Sequence, residues 1–282
     1  MGISAISARL TLTSGLENNR NHQPYCYLIF IPKGNSSPHM SETTLCFDFG
    51  NTRLKGAVFK GATLHEVFML ENDSVETIQR IVDTYQPQKS ILSSVINHSP
   101  AIEEVLARAG RFHRLSHTSK LPVTTPARQP STIGADRLAL VTAAVHLFPD
   151  KNNLVIGLGS AITYNFVNKY HQFMGGGISP GMEMRFKSLH MFTAKLPLVT
   201  KDWNFPLIGY DTPTNILSGV ILGMAKEIDG IIDAYAERYG NFNVLLTGGD
   251  APYFVYHLKN KIFADPNLIF KGLYAISEHN NV

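Results

Sequence analysis

Cysteine is almost missing from this chain. Two thiols, Cys26 and Cys46, stand in 282 residues, at a spacing that suits neither a metal site nor a redox pair. A disulfide scaffold is excluded, and a reducing cytoplasm is the simplest home. Charge of one sign is equally scarce. The formal net charge is +3, with 25 Lys and Arg scattered along the chain, which leaves no electrostatic footprint for a nucleic acid. Long apolar runs are absent as well. Tyr25 to Ile31 is too short to span a membrane, and it lies too deep, without a basic lead-in, for a secretory signal. A longer run after Thr214 is broken by Lys226 and Glu227 before it reaches the ~20 residues a span needs. Among eleven histidines only His113 and His117 have a metal-like spacing. They do not share a helical face, and they read as surface residues.

What is present is enough apolar material, 44%, for one large core or two ordinary ones. Residues 1–43 stand apart: they are rich in Ser, Asn and Thr, without sustained periodicity, and read as a disordered leader or a start placed too early, with Met40 close ahead of the first strand. From Thr44 the pattern predicts strands over 44–49, 53–60 and 63–70, a helix over 74–86, a strand over 89–96, a helix over 99–109 and a short strand near 112–116. A proline-bearing loop over 117–133 leads to a helix from Asp136 to Phe148, with Leu138, Val141, Val145 and Phe148 on its inner face. The pattern then restarts: strands over 153–158, 161–167 and 170–174, and helices over 181–192 and 214–239. A strand over 244–246, a helix over 251–259 and a final strand–helix pair complete it. Two halves, 44–151 and 152–282, that each open with three strands imply an internal duplication. Gly219, Gly223 and Gly230 give the long helix a smooth side for close packing.

The chemistry concentrates at the first hairpin tip, Asp48-Phe49-Gly50-Asn51-Thr52. Gly50 allows a tight turn and close backbone approach. Asn51 and Thr52 add donors to exposed amides that suit phosphate oxygens. Asp48 is placed to hold a hydrated magnesium ion, and Lys55 on the following strand supplies a point charge for a phosphate. The plainer reading is an ordinary Gly-Asn turn with a capping Asp. Aligning the halves sets Phe47-Asp48-Phe49-Gly50-Asn51-Thr52 beside Ile156-Gly157-Leu158-Gly159-Ser160-Ala161. Two such tips from related domains would clamp a nucleotide between them, the arrangement of the actin, sugar-kinase and heat-shock ATPases.

From Thr44 onward the chain resembles the type III pantothenate kinases, in the style of Bacteroidetes-like members. The motifs that carry the likeness stand in order: Asp48-x-Gly50-Asn51-Thr52-x-x-Lys55, then Gly134-Ala135-Asp136-Arg137, then Gly157-Leu158-Gly159-Ser160-Ala161-Ile162-Thr163. Gly175 to Gly181 with Thr193-Ala194-Lys195-Leu196-Pro197 follows, and Thr247-Gly248-Gly249-Asp250-Ala251 comes last. The resemblance implies an α/β fold of duplicated ribonuclease H-like domains with ATP in the cleft between them. It implies ATP- and magnesium-dependent phosphorylation of pantothenate, the first step of coenzyme A synthesis, by a cytoplasmic homodimer. ATP and its phosphates would lie along Asp48, Phe49, Gly50, Asn51, Thr52, Arg53, Leu54, Lys55 and Ser160. Pantothenate would meet Gly134, Ala135, Asp136 and Arg137, and Thr193 would reach it from the neighbouring subunit. Asp136 would accept the hydroxyl proton, ionised at a helix N-terminus whose dipole favours the charge; its plainer role is a helix cap. Arg137 would counter the substrate carboxylate or the transferring phosphoryl group, and is otherwise a misplaced first-turn charge.

The chain departs from the pattern at Gly157, where the family carries an aspartate that holds potassium or ammonium. A monovalent cation, usual in the family, therefore loses its carboxylate here, and weak dependence on such ions is expected. Ser160 keeps the hydroxyl of the usual threonine. An aromatic residue of the substrate pocket corresponds to Ala127 or Arg128. Two other readings remain open: an ATP-binding regulatory protein with impaired catalysis, and a kinase of the same fold acting on another alcohol.

Overall fold

The computed structural model describes residues 42–125 and 130–281. The expected leader lies outside them save for Glu42 and Thr43, as do Ala127 and Arg128. Both described leader residues are structural. Thr43 opens the first strand, and Glu42 accepts from Lys89 and Arg111 at 2.8 and 2.7 Å.

Strands β1 (Thr43–Phe49), β2 (Leu54–Lys60) and β3 (Thr63–Met69) form an antiparallel meander. Helix α1 (Val75–Tyr85), strand β4 (Lys89–Ser94), helix α2 (Pro100–Ala109) and strand β5 (Arg111–Arg114) follow. β4 and β5 join parallel to β1, giving the order β3-β2-β1-β4-β5. Local chemistry starts the helices: Ser74 caps α1, and Ser99 followed by Pro100 opens α2. Helix α3 (Ala135–Leu147) then leads into β6 (Asn152–Leu158), β7 (Ala161–Val167) and β8 (Phe173–Pro180). Next come α4 (Met182–Met191), α5 (Thr212–Tyr239), β9 (Phe242–Thr247), the short α6 (Ala251–Phe254), β10 (Phe263–Ala264) and α7 (Leu268–Asn280). The second sheet runs β8-β7-β6-β9-β10, the same topology again. The expected duplicated α/β fold is what the chain adopts.

Three elements differ from the sequence expectation. The third strand of the second half lies later, over Phe173–Pro180 rather than 170–174, because the Gly-rich run pairs with β7 instead of looping. The helix expected over 251–259 ends at Phe254. Helix α3 was expected to be amphipathic, yet Leu138 to Val145 are all buried.

The burial of α3 has a clear cause. Alternation along β1 sends Leu45, Phe47 and Phe49 to a core shared with α1 and α2. Cys46, with Ala57 and Ile91, faces the other way onto Ala139 of α3 and Phe270, Leu273 and Ile276 of α7. The opposite side of α3, through Leu140, Val141 and Val145, packs with Val155, Phe173 and Leu245 of the second sheet. Helices α3 and α7 are thus a middle layer between two sheets. Each large apolar side chain enclosed there contributes about 1.5–3 kcal/mol. Gly272 makes the layer possible, because a Cβ on it would collide with the Ala139 carbonyl. Gly219, Gly223 and Gly230 of α5 meet nothing within 4 Å among the described residues, so no described helix makes the close packing expected of them.

Candidate active site

The two hairpin tips meet. In the first, Phe49 pairs with Leu54, leaving residues 50–53 as the loop, closed by the Gly50 N–H on the Arg53 carbonyl at 3.2 Å. In the second, Leu158 pairs with Ile162, a loop one residue shorter, closed by the Gly159 N–H on the Ala161 carbonyl at 3.1 Å. Thr52 Oγ1 and Ser160 Oγ lie 2.6 Å apart and join the tips by a hydrogen bond. The start of α4 packs on the second tip, where the Gly181 N–H donates to the Ser160 carbonyl at 3.1 Å. The 247–250 loop packs behind it: Gly248 takes a φ of +103°, and the Asp250 N–H donates to the Leu158 carbonyl at 3.2 Å. Arg53 reaches across to this loop, its Nη1 3.5 Å from where a Cβ on Gly249 would stand.

Asp48 sits at the end of β1 directly across from Lys55 on β2. Burial pushes its carboxyl up to about 7, Lys55 opposes that shift, and the nearby charge of Asp136 adds to it. Asp136 occupies the first turn of α3, behind the cap residue Gly134. A Cβ on Gly134 would lie 2.5 Å from Asp136 Oδ1, so the glycine leaves room for the carboxyl to fold back. The backbone N–H groups of Arg137 and Asp136 hold that carboxyl. Burial nevertheless outweighs them and raises its pKa, against the dipole-based expectation. Two desolvated carboxyls are therefore close enough for the charge of one to act on the other, a setting in which a divalent cation relieves their repulsion. Among the described residues no three His, Cys, Asp or Glu cluster as a metal cage. A magnesium ion shared between one carboxylate, phosphates and water needs no cage, and the residues present fit that arrangement.

Arg137 is half-buried and firmly held. Its Nε donates to Asn165 Oδ1 at 2.6 Å and its Nη2 to the Tyr164 carbonyl at 3.5 Å. The guanidinium lies 5.4 Å from the Phe173 ring centre.

Of the residues singled out in the sequence, Gly50, Asn51, Thr52 and Arg53 form the first tip and Ser160 the second, Asp48 and Lys55 pair at the base of the first, Asp136 is close enough to couple with Asp48, and Arg137 lies along β7 against Asn165 and Phe173. Phe49 and Leu54 turn their side chains into the first core and leave only main chain to a ligand. Ala135 packs on the cluster between the layers. Thr193 stands exposed past the end of α4, its Oγ1 donating to the Leu189 carbonyl at 2.7 Å. At Gly157 an added Cβ would stand 2.8 Å from Thr163 Oγ1 and 3.3 Å from Leu140 Cδ1. His113, expected at the surface, is half-buried and bonded to Ser119 at 2.7 Å. Sequence reasoning gave no site role to Tyr164, Phe173 or Ser93, and it weighed Asn165 only as a fallback cation ligand, never as the support of Arg137. Ser93 lies in register beside Asp48, its buried hydroxyl without a partner among the described residues. The available signal for Asn165 was a polar side chain at a buried strand position.

Comparison with known proteins agrees with this geometry. Residues 44–234 match the family profile "Type III pantothenate kinase". A type III pantothenate kinase of Christiangramia forsetii is 42% identical over 239 residues, 84% of this chain and 98% of that protein. One from Bacteroides fragilis strain YCH46 is 42% identical over 242 residues, again 84% and 98%. Among solved structures, a Campylobacter jejuni protein described as a Baf family transcriptional activator shares the fold with a TM-score of 0.56. It is 20% identical over 83% of this chain and 97% of that one, a likeness of fold alone. The profile match and the length of the curated alignments place the chain in the type III pantothenate kinase family.

Proposed function

We propose that this protein transfers the γ-phosphoryl group of ATP to the primary hydroxyl of pantothenate, the opening step of coenzyme A synthesis. The observation that carries the reading is the pair of tips joined through Thr52 and Ser160, with Asp48 at the base of the first within electrostatic reach of Asp136, in a chain 42% identical to type III pantothenate kinases across nearly their full length.

Phosphoryl transfer through a loose transition state depends on positioning and charge neutralisation. The main-chain N–H groups of residues 51–53 and 160, with the hydroxyls of Thr52 and Ser160, cradle the phosphates. Lys55 and Arg53 add positive charge. Magnesium, held through water by Asp48 together with the phosphates, would neutralise the charge that builds on the β and γ oxygens. Asp136 orients the hydroxyl and takes its proton as the new oxygen–phosphorus bond forms and the bond to the departing ADP breaks. Arg137, fixed by Asn165, pairs with the pantothenate carboxylate or the transferring group. Exposed Ile178, Phe192, Leu207 and Ile208 flank Thr193 in the sequence, and apolar exposure of that extent favours a homodimer that brings Thr193 to the neighbouring site. No helix among the described residues is long and apolar enough to cross a membrane.

A coupled assay of ADP release with pantothenate, ATP and magnesium tests the proposal. Asp136→Asn keeps the shape and removes the acceptor charge, and turnover should fall ~10²–10⁴-fold with nucleotide binding retained. Near wild-type turnover of that variant would refute the role.

A further inference from the structure

The monovalent cation that the family resemblance implies does not fit the residues present, and the misfit identifies what replaces it. An ion such as potassium needs several oxygen acceptors with free lone pairs, best with one carboxylate among them. Position 157 offers no side chain. The space a longer residue would use there is already filled by Thr163 Oγ1 and Leu140 Cδ1. Thr163 Oγ1 is grouped with two further oxygens of the paired strands, the Val155 and Thr163 carbonyls. One donor approaches all three: Asn165 Nδ2 lies 3.2 Å from the Val155 carbonyl, 3.4 Å from the Thr163 carbonyl and 3.1 Å from Thr163 Oγ1.

The orientation of that amide is set by its other end. Arg137 Nε, which can only donate, meets Asn165 Oδ1 at 2.6 Å. The oxygen of Asn165 must therefore face Arg137, and its NH₂ must face the three acceptors. The side chain is fully buried, so neither water nor an ion competes for the place. A permanent positive charge stands one hydrogen bond away, on a guanidinium steadied by the Tyr164 carbonyl and the Phe173 ring.

We propose that the Asn165 amide occupies the position of a monovalent cation at the second tip, with Arg137 carrying the charge, so that the enzyme works without potassium or ammonium. Asn165 is then a positioning residue for Arg137. The proposal rests on the kinase reading above, and the test separates the two. Pantothenate phosphorylation is measured in potassium, ammonium, sodium and tetramethylammonium chlorides at one ionic strength, and in parallel the melting temperature is recorded with magnesium ADP in each salt. Rates should agree within about twofold, and the nucleotide-induced shifts should be equal. Saturable activation by potassium or ammonium of about tenfold or more, or a nucleotide shift specific to either ion, would overturn the proposal. Absence of turnover in every salt would count against the kinase reading, and the melting arm alone would then decide the present one. Asn165→Asp turns a donor into an acceptor at nearly constant shape. It should lower turnover in tetramethylammonium and regain it with potassium or ammonium; a variant indifferent to the ions would also overturn the proposal.

Discussion

Asp136 carries its charge at a cost to the fold. Its folded-state pKa is raised by burial, so protonation favours the folded protein. Stability from this group is full below the ordinary carboxylate value and is lost as pH rises through the raised one. Without nucleotide or metal, Asp136→Asn should therefore melt higher than wild type at pH 8, and the gap should close as the solution is acidified below pH 4. A lower melting temperature at pH 8 would show that the carboxylate is a structural cap. At Gly157 an Asp substitution must displace Thr163 Oγ1 and Leu140, and crowding of that kind costs about 1–3 kcal/mol, measurable by urea unfolding. What was legible at this scale is local. Asp48 with Gly50 and Asn51, and Asp136 after Gly134, are short patterns whose chemistry lies within a few residues. Asn165 sits 28 positions from Arg137; the packing of α3 on β7 brings Arg137 to its oxygen, and the pairing of β6 with β7 brings the Val155 carbonyl to its nitrogen.

The clearest element-scale device is the tie between α4, α5 and the second sheet. Glu227 of α5 accepts from Arg185 of α4 and, at 3.0 Å, from the Tyr164 hydroxyl on β7. Burial alone would raise the Glu227 carboxyl. Hydrogen bonds from Arg185 and Ser179, the Arg185 charge and the Tyr164 bond outweigh it and lower the pKa. This contribution is full above the unfolded carboxylate value and is lost as pH falls through the lower folded one. Glu227→Gln should destabilise by about 1.5–3 kcal/mol at neutral pH and by little in strong acid; an equal loss at both would refute the ion-pair account. The middle helices give a sharper expectation. Gly272→Ala drives a methyl into the Ala139 carbonyl and should cost about 3 kcal/mol in urea unfolding. Strand–helix order was readable because alternation and capping are local signals. The all-round burial of α3 was not, since a second sheet assembled from strands that come later in the chain covers the face that periodicity assigns to solvent. The placement of β8 was missed because glycines read as loop until a partner strand is known.

At the scale of the molecule, the exposed Phe192 and Ile208, at 84% and 83% accessibility, set a test of assembly. Light scattering of wild type at micromolar concentration should give a dimer, and Ile208→Asp should give monomers with a raised KM for pantothenate; a monomeric wild type would remove the proposed role of Thr193. The duplicated fold was legible from two matching runs of elements. The proposed dimer surface has no periodic signature, and the sequence suggested it only through resemblance.

The packing of α7 against β1 and β4 also ties the two ends of the described chain together in time. During synthesis, at ~5–20 residues per second, the first sheet emerges well before residues 268–280 that cover one of its faces. That face of the first sheet thus cannot be covered until residues 268–280 have left the ribosome. Cys46, buried beneath α7 beside Phe270 and Leu273, is a built-in clock for that event. In a Cys26→Ser background, pulses of a thiol-alkylating reagent during refolding should label Cys46 until α7 docks and not afterwards. The moment at which labelling stops is the moment at which the kinase closes.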